Sequence, residues 1–576
     1  MPQLSLNNLL PQSTFLTKLC MTGLDHLLGI SQLNRLYERS AIKGLTKEVF
    51  AARFVEIFEL KIKSPLDLSM RIPQHGAAIV VANHPYGGIE GVILASLLSS
   101  SRSDVKILAN QALKIIPELA DFFIFTNPLA PGAKGNAQSL RACKAHLGKG
   151  GLLVLFPAGR VSYPNSDGQV TDHQWNRIAG SLAASTRAPI IPCFISGKNS
   201  NMFYLMGEIY FRFRMLLLIK EMLKSKGRTV EITLGQPVLF PPFLEKTQMT
   251  TDIARLLTYL QAPEYQYQWS TYQTPVQLPL ASPQLAENLQ AEIIQLPDEQ
   301  CLLRYKHFEV YYASRAQCPF VIEEISRLRE ENFRLFDEGS GLPQDGDAFD
   351  DTYTHLFVYD SQTKAIIGAY RMGQTDNLLA RGDIAPLYLS RMFDFSAEFI
   401  NQVQPCLEMG RSFVIASHQR SFHGLLLLFK GIGAFVCKFP RYRTLYGTVS
   451  LSKQYTPLSV ILIEQFLVIA SPQVKAKKPF DLKVPADIQH YLANHPNDIE
   501  VLELLVKQIE PDGKGLPVLV KQYHQLGARF YCVGIDPNFA DTPGLLLSVD
   551  LPKAPERLLK LYLGHGAEAY RQRHNG

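Results

Sequence analysis

No stretch of this 576-residue chain stays apolar and uncharged over the ~20 positions that a bilayer-spanning helix requires. Any membrane attachment is therefore expected to be peripheral. Met1–Leu10 lacks a basic region followed by an apolar core, so no signal peptide is expected. Cysteines are few and scattered: Cys20, Cys143, Cys193, Cys301, Cys318, Cys406, Cys437 and Cys532 show neither C-x-x-C spacing nor a zinc pattern. They read as reduced, mostly buried thiols in a cytosolic setting. Charged residues make up 19% against 46% hydrophobic, a balance that excludes a disordered chain. There is no internal repeat, and the length calls for two or more domains with separate cores.

Lys and Arg are missing altogether from Pro263–Pro297, which is rich in Gln, Pro, Tyr and Ser. That composition disfavours regular structure and predicts an extended surface linker at 263–294 between domains at 1–262 and 295–576. Charge divides at the same place. Residues 1–262 hold 28 Lys+Arg against 17 Asp+Glu, net +11, and the remainder holds 30 against 35, net −5. A basic half beside an acidic one points to an anionic partner for the first half. No nucleic-acid-binding motif is visible, so the expected partner is an anionic membrane surface rather than nucleic acid. Met202–Arg228 interleaves apolar residues with Arg212, Arg214, Lys220, Lys224, Lys226 and Arg228. It suits a helix lying in the headgroup region, or equally a core helix with a solvated edge.

What is present in the first half is chemistry at strand ends. Ala77–Ala82 reads as a buried strand and runs into Asn83-His-Pro-Tyr-Gly-Gly-Ile-Glu90. A histidine released there with a carboxylate close by is a general-base arrangement: the carboxylate sets the tautomer, and the other ring nitrogen accepts a proton from a hydroxyl. Gly87 and Gly88 allow the turn that brings Glu90 back. Alone, the motif is a weak signal, because a histidine near a strand end is more often a hydrogen-bonded structural residue. Two further segments change that. Leu152–Ser162 reads as a second buried strand ending in Phe-Pro-Ala-Gly-Arg, and Ala188–Gly197 as a third with Pro192 at its mouth.

This order and spacing resemble the PlsC-type glycerolipid acyltransferases, with their Asn-His-x4-Asp, Phe-Pro-Glu-Gly-Thr-Arg and proline-centred apolar blocks. The resemblance covers residues 30–245 or so. It implies an α/β acyltransferase domain with His84 and Glu90 catalytic and Asn83, Gly159, Arg160 and Pro192 binding substrate. Glu90 lies one residue further from His84 than in that pattern, and Ala158, Arg160 and Val161 replace the family's Glu and Thr-Arg. The altered block makes a phosphorylated glycerol a poor acceptor and a phosphate-free hydroxyl a better one.

In the second half, Phe320–Phe336 reads as an amphipathic helix carrying Arg329 and Phe333, followed by an acidic loop with Asp345, Asp347, Asp350 and Asp351. Strands at Thr354–Tyr359 and Ala365–Tyr370 follow, with Arg371 closing the second, and Glu408-Met-Gly-Arg411 opens another. Taken in order, these positions resemble the acyl-homoserine-lactone synthases and, more closely, the ornithine N-acyltransferases, across residues 295–550. Both families have GNAT-like α/β folds and take acyl groups from acyl carrier protein. The resemblance implies that Glu408 accepts the amine proton, that Arg371 or Arg411 binds the α-carboxylate, and that Asp347 and Asp350 pair with a second ammonium. No clear Arg/Gln-x-x-Gly-x-Gly/Ala loop is present to cradle a coenzyme A pyrophosphate, which favours carrier protein as donor.

The two halves together resemble the bifunctional ornithine lipid synthases. That arrangement implies N-acylation of ornithine by the second half and O-acylation of the resulting lyso-lipid by the first. No tightly bound cofactor is implied, acyl-coenzyme A remains a possible donor for the first half, and the expected location is the inner face of the cell membrane. A glutamine or glycine acceptor, a lysophosphatidate acyltransferase fused to an amino-acid N-acyltransferase, and a non-catalytic membrane-binding protein stay open as alternatives.

Overall fold

Every residue of the strand Ala78–Ala82 is buried, as is every residue of Leu152–Leu155, because a parallel sheet covered on both faces demands continuous apolar runs. The computed structural model describes residues 21–575 apart from 27, 41, 65–69, 111–116, 127–133, 166–167, 210, 242–246, 270–275, 402–403 and 420–421. Cys20 and the N-terminal segment therefore lie outside the described residues. The chain forms two compact units, one of residues 1–266 with 485–496, the other of 267–484 with 497–576.

Unit 1 is built on the strands β1 (Lys61–Lys63), β2 (Ala78–Ala82), β3 (Val105–Asn110), β4 (Phe123–Thr126), β5 (Leu152–Leu155), β8 (Ile190–Ile195) and β9 (Thr229–Leu234), with a small hairpin of β6 (Tyr163–Pro164) and β7 (Val170–Thr171) outside the sheet. The described strands lie in the order β1-β9-β8-β2-β5-β3-β4, with β2 parallel to both β5 and β8. The three segments read as buried strands are thus neighbours at the sheet centre. Alternation divides their side chains between two cores: Val80 and Ala82 pack with Leu152 and Val154, and Ile79 and Val81 with Leu153, Leu155 and Trp175. Each of these valine, leucine and isoleucine side chains contributes about 1.5–3 kcal/mol when fully buried. The second segment stops being a strand at Leu155, which leaves Phe156–Ser162 as a loop at the same sheet end as His84.

Unit 2 holds β10 (Cys301–Tyr305), β11 (Phe308–Ala313), β12 (Thr354–Asp360), β13 (Ala365–Gln374), β15 (Leu407–Val414), β16 (Thr444–Ser450), β18 (Arg529–Asp536) and β19 (Thr542–Asp550) in the order β10-β11-β12-β13-β15-β16-β19-β18. Strands β14 (Phe393–Phe395) and β17 (Val474–Ala476) pair separately. The sheet is antiparallel except between β15 and β16, which run parallel and stay in register only over Leu407↔Leu445, Glu408↔Tyr446 and Met409↔Gly447. Beyond Met409 the register of β15 with β13 also shifts, and Arg411 sits at φ 51. A left-handed non-glycine residue at a bulge re-aims its side chain at an energetic cost. The helix Pro319–Arg334 covers one sheet face, with Val321, Ile322 and Ile325 packed against Tyr311, Phe357 and Ala369. The apolar Gly424–Gly433 segment lies in a helix, Phe422–Lys438, on the other face, where a Cβ on Gly431 would come within 2.7 Å of Val310.

Two expectations need correction. Residues Ala286–Gln295 are not extended but helical, with Leu289 and Ile293 buried. Their four-residue spacing, reaching Leu296 three residues later, supplies a helical stripe once the prolines stop at Pro283. Met202–Arg228 is two helices, Asn201–Ile209 and Phe211–Lys224. Phe203 and Tyr204 are buried while Met202 and Leu205 are more than half exposed, so the first helix has both a core edge and a bare apolar edge. The side chains of Arg212 and Arg214 lie outside the described residues. Among the described residues no helix is long and apolar enough to cross a membrane.

Candidate active sites

The turn after β2 is set by Gly87, at φ +90 and so close to its surroundings that a Cβ would meet Val161 at 2.5 Å and Leu218 at 2.6 Å. The turn feeds the helix Ile89–Ser99 and places Glu90 in its first turn, fully buried. Glu90 Oε1 accepts from the main-chain N–H of Tyr86 (2.9 Å) and Gly87 (2.8 Å), and Oε2 from that of Gly88 (2.9 Å). His84 Nδ1 lies 2.9 Å from Glu90 Oε1, an ion pair whenever the ring is protonated. Burial alone would raise the pKa of Glu90, but His84 and the amides outweigh it and hold the carboxylate below its ordinary value. Burial likewise opposes a charged imidazole, and Glu90 overcomes it, so the pKa of His84 is raised. With Nδ1 committed, Nε2 is the ring nitrogen left to take a proton from a hydroxyl.

Asn83 is not aimed at a ligand. Its side-chain oxygen accepts from Ile195 N–H (2.7 Å) and its amide donates to Ile195 O (2.9 Å), so it ties the end of β2 to β8. Pro192 pairs with Val81 inside β8 and is buried, not at the strand mouth, because the strand continues past it to Ile195. Gly159, at φ 62, closes the turn after β5, and exposed Arg160 follows it. Ser162 N–H donates to His84 O at 2.9 Å, which brings the second block alongside the first. Sequence reasoning missed Asp172, a buried carboxylate in an undistinguished polar stretch. It accepts from His84 N–H (3.1 Å), the Ser162 hydroxyl and Trp175 Nε1 (2.8 Å), and burial raises its pKa.

In unit 2 the acidic loop meets three arginines. Arg329 binds Asp350 through both terminal nitrogens (2.9 and 2.8 Å) and faces Asp345 at 3.3 Å. Arg371 contacts Asp347 at 2.5 Å and Asp350 at 3.2 Å, among the rings of Phe349, Tyr353 and Tyr388. Arg411 lies 3.4 Å from Asp345 and donates to Tyr388 Oη at 3.1 Å. Burial works against the charge on Asp350, yet Arg329 and Arg371 prevail and hold it well below the usual carboxylate range. Phe333 stands behind this cluster, edge-on to Phe539, over whose ring Arg411 lies. Arg329, Arg371 and Arg411, and Asp347 with Asp350, are therefore paired with one another. The expected roles in holding a carboxylate and a second ammonium meet groups already engaged.

Glu408 is buried, accepts from Tyr353 Oη (2.6 Å) and Leu389 N–H (2.8 Å), and is pushed up to about 6 by burial. A carboxylate near neutrality suits proton transfer, here with Tyr353 beside it. Glu338, which no sequence pattern marked, is a second such group: buried near Arg411 and Ser450, it is pushed up to about 7 by burial.

A family profile described as Acyltransferase matches residues 62–256, and one described as Acetyltransferase (GNAT) domain matches 328–429. The chain is 25% identical over 250 residues to a lyso-glycine lipid O-acyltransferase of Phocaeicola vulgatus, covering 42% of this chain and 86% of that protein. It is 29% identical over 261 residues to a glycine N(alpha)-acyltransferase of Bacteroides thetaiotaomicron, covering 42% of this chain and 77% of that one. Among solved structures, the 1-acyl-sn-glycerophosphate acyltransferase PlsC of Thermotoga maritima aligns with 18% identity and a TM-score of 0.26, over 39% of this chain and 80% of that one. The protein is a bifunctional acyltransferase, with an α/β acyltransferase domain followed by a GNAT domain.

Proposed function

We propose that the chain builds a two-chain lipid on an amino acid. The GNAT-bearing unit transfers a 3-hydroxyacyl group from a thioester to the α-amine, forming an amide and releasing a thiol. Unit 1 then transfers a second acyl group to the 3-hydroxyl, forming an ester and releasing a second thiol. The His84–Glu90 pair carries this reading. His84 Nε2 takes the hydroxyl proton as the oxygen attacks the thioester carbonyl. The resulting imidazolium forms beside the buried Glu90 carboxylate, and its proton passes to the departing thiolate.

Glycine is the amino acid we favour. Asp345, Asp347 and Asp350 equal Arg329, Arg371 and Arg411 in number and each meets two of them, which leaves no carboxylate of that group to balance a second ammonium. The glycine-lipid names of the relatives support the same choice. Ornithine is the second reading, supported by the resemblance of residues 295–550 and by Asp347, whose side chain keeps 23% exposure. Acyl carrier protein is the proposed donor for the second unit, and carrier protein or acyl-coenzyme A for the first. The lipid product and the exposed Met202 and Leu205 favour work at the inner face of the cell membrane, held peripherally on anionic headgroups. The test is lipid extraction from a host expressing the chain, with mass spectrometry of ninhydrin-positive lipids. A two-chain glycine lipid, replaced by its one-chain form in His84→Ala, supports the proposal. A two-chain lipid unchanged in His84→Ala refutes the O-acyl role of unit 1.

A further inference from the structure

Residues 485–496 follow β17 in sequence, with unit 2 on both sides of them in the chain, yet they belong to unit 1. Their helix, Ala486–Asn494, packs on the helix Thr247–Tyr259. Two contacts fix it there. Asp487 Oδ1 lies 3.1 Å from an Arg255 terminal nitrogen, with the two side chains only 13% and 10% exposed, and His495 Nε2 lies 3.0 Å from Asp252 Oδ2. Asp252 and Arg255 are three residues apart and share one face of their helix.

Arg255 is also tied inward. Its other terminal nitrogen donates to Thr171 Oγ1 at 2.9 Å, and its guanidinium lies over the ring of Tyr259 at 4.6 Å. Tyr259 Oη accepts from Asp172 N–H at 2.7 Å, and Asp172 in turn holds the main chain of His84 and the hydroxyl of Ser162. A continuous line of bonded groups therefore runs from Asp487 through Arg255, Thr171 and Tyr259 to Asp172 and His84. Among the described residues Arg255 Nε is buried without a hydrogen-bond partner, so contacts at its two terminal nitrogens set the orientation of this guanidinium.

We propose that residues 485–496 complete the O-acyl site, with Asp487 as a positioning residue that fixes Arg255 and, through Thr171 and Tyr259, the carboxylate that seats His84. A bare scaffold helix would stabilise unit 1 without altering the turnover of each folded molecule. A positioning helix alters that turnover, because displacement of a base by about 1 Å costs up to ~100-fold in rate. The proposal rests on the assignment of O-acylation to His84.

The test uses full-length protein carrying Asp487→Ala, Asp487→Glu, the swap Arg255→Asp with Asp487→Arg, and His84→Ala as reference. O-acylation of a supplied lyso-lipid and N-acylation of the free amino acid are measured on each preparation, per folded molecule as judged by near-ultraviolet circular dichroism. We expect Asp487→Ala to lower kcat for O-acylation at least tenfold, with KM within twofold and N-acylation unchanged. Asp487→Glu and the charge swap should each recover part of the loss. If Asp487→Ala retains O-acyl kcat within twofold per folded molecule while His84→Ala abolishes it, the helix is only scaffold and the proposal is overturned. Unchanged O-acylation in His84→Ala would instead remove the assignment on which it stands, and the proposal with it.

Discussion

Replacing Glu90 by Gln removes one charge and almost no volume from a fully buried position, so its consequences can be worked out atom by atom. The carboxylate accepts three main-chain N–H groups and faces His84 Nδ1. An amide side chain must turn its NH2 either toward Gly88 N–H or toward those of Tyr86 and Gly87, which sets donor against donor. Leaving one buried N–H unsatisfied costs about 1–3 kcal/mol, and bonds to a charged acceptor are themselves worth about 1.5–3 kcal/mol each. The substitution also removes the charge that raises the pKa of His84. The base works only when neutral, so O-acylation by the wild-type chain should climb with pH through the raised pKa of His84 and then level off. In Glu90→Gln the midpoint should move to lower pH. The plateau should fall at least tenfold, about 1.4 kcal/mol, because the imidazolium formed during attack has lost its counter-charge. The assay is kcat for conversion of supplied lyso-lipid to the two-chain product between about pH 5 and 9, with N-acylation in the same tube as the control. A plateau and midpoint both unchanged in Glu90→Gln would refute the argument.

The same pair links stability to pH. Glu90, depressed from 4.5, contributes fully above that value, and His84, raised from 6.5, contributes fully below it. The melting temperature of unit 1 should carry the pair's full contribution between those values and lose it on either side, a dependence that Glu90→Gln should flatten. Asp350→Ala removes the carboxylate that both terminal nitrogens of Arg329 bind and one of the two that Arg371 meets, leaving Asp345 and Asp347 to balance these buried guanidiniums. Unit 2 should lose about 3 kcal/mol in denaturant titrations, the low end for a broken buried pair, and N-acylation should disappear. Changing Arg212, Arg214, Lys220 and Lys224 to Gln should release the protein from anionic vesicles at physiological salt, at roughly 1 kcal/mol per residue. Co-sedimentation that survives all four changes would return the helices Asn201–Ile209 and Phe211–Lys224 to the reading of core helices with a solvated edge. Offered equimolar isotope-labelled glycine and ornithine, the chain should incorporate glycine; a product carrying mainly ornithine would overturn the charge-pairing argument.

The central strands of unit 1 were legible because a parallel sheet buried on both faces writes continuous aliphatic runs into the chain. His84 and Glu90 were legible because their chemistry is local, six residues apart across one turn. Asp172 was not, since it reaches His84 from the far side of a hairpin and only the folded contacts of its carboxylate, with His84 N–H, the Ser162 hydroxyl and Trp175 Nε1, reveal it. Pro192 and Asn83 were read as site residues from their place beside the motif, but both work inside the sheet. The acidic loop and the arginines were found individually, while their mutual pairing depends on side chains brought together from Arg329, Arg371 and Arg411. The helix Ala286–Gln295 was hidden by the prolines before it, and no local pattern could assign Ala486–Asn494 to unit 1.

The turn at Tyr86–Gly88 carries one more consequence. Its three amides lie in a loop, where hydrogens ordinarily exchange with solvent within the time of mixing. Here each is bonded to a carboxylate sealed from water. They should take up deuterium as slowly as the strands around them. Protonation of Glu90 in acid should unlock the turn and its amides together. The isotope content of one short peptide spanning the turn would then report the charge on Glu90 without any assay of turnover.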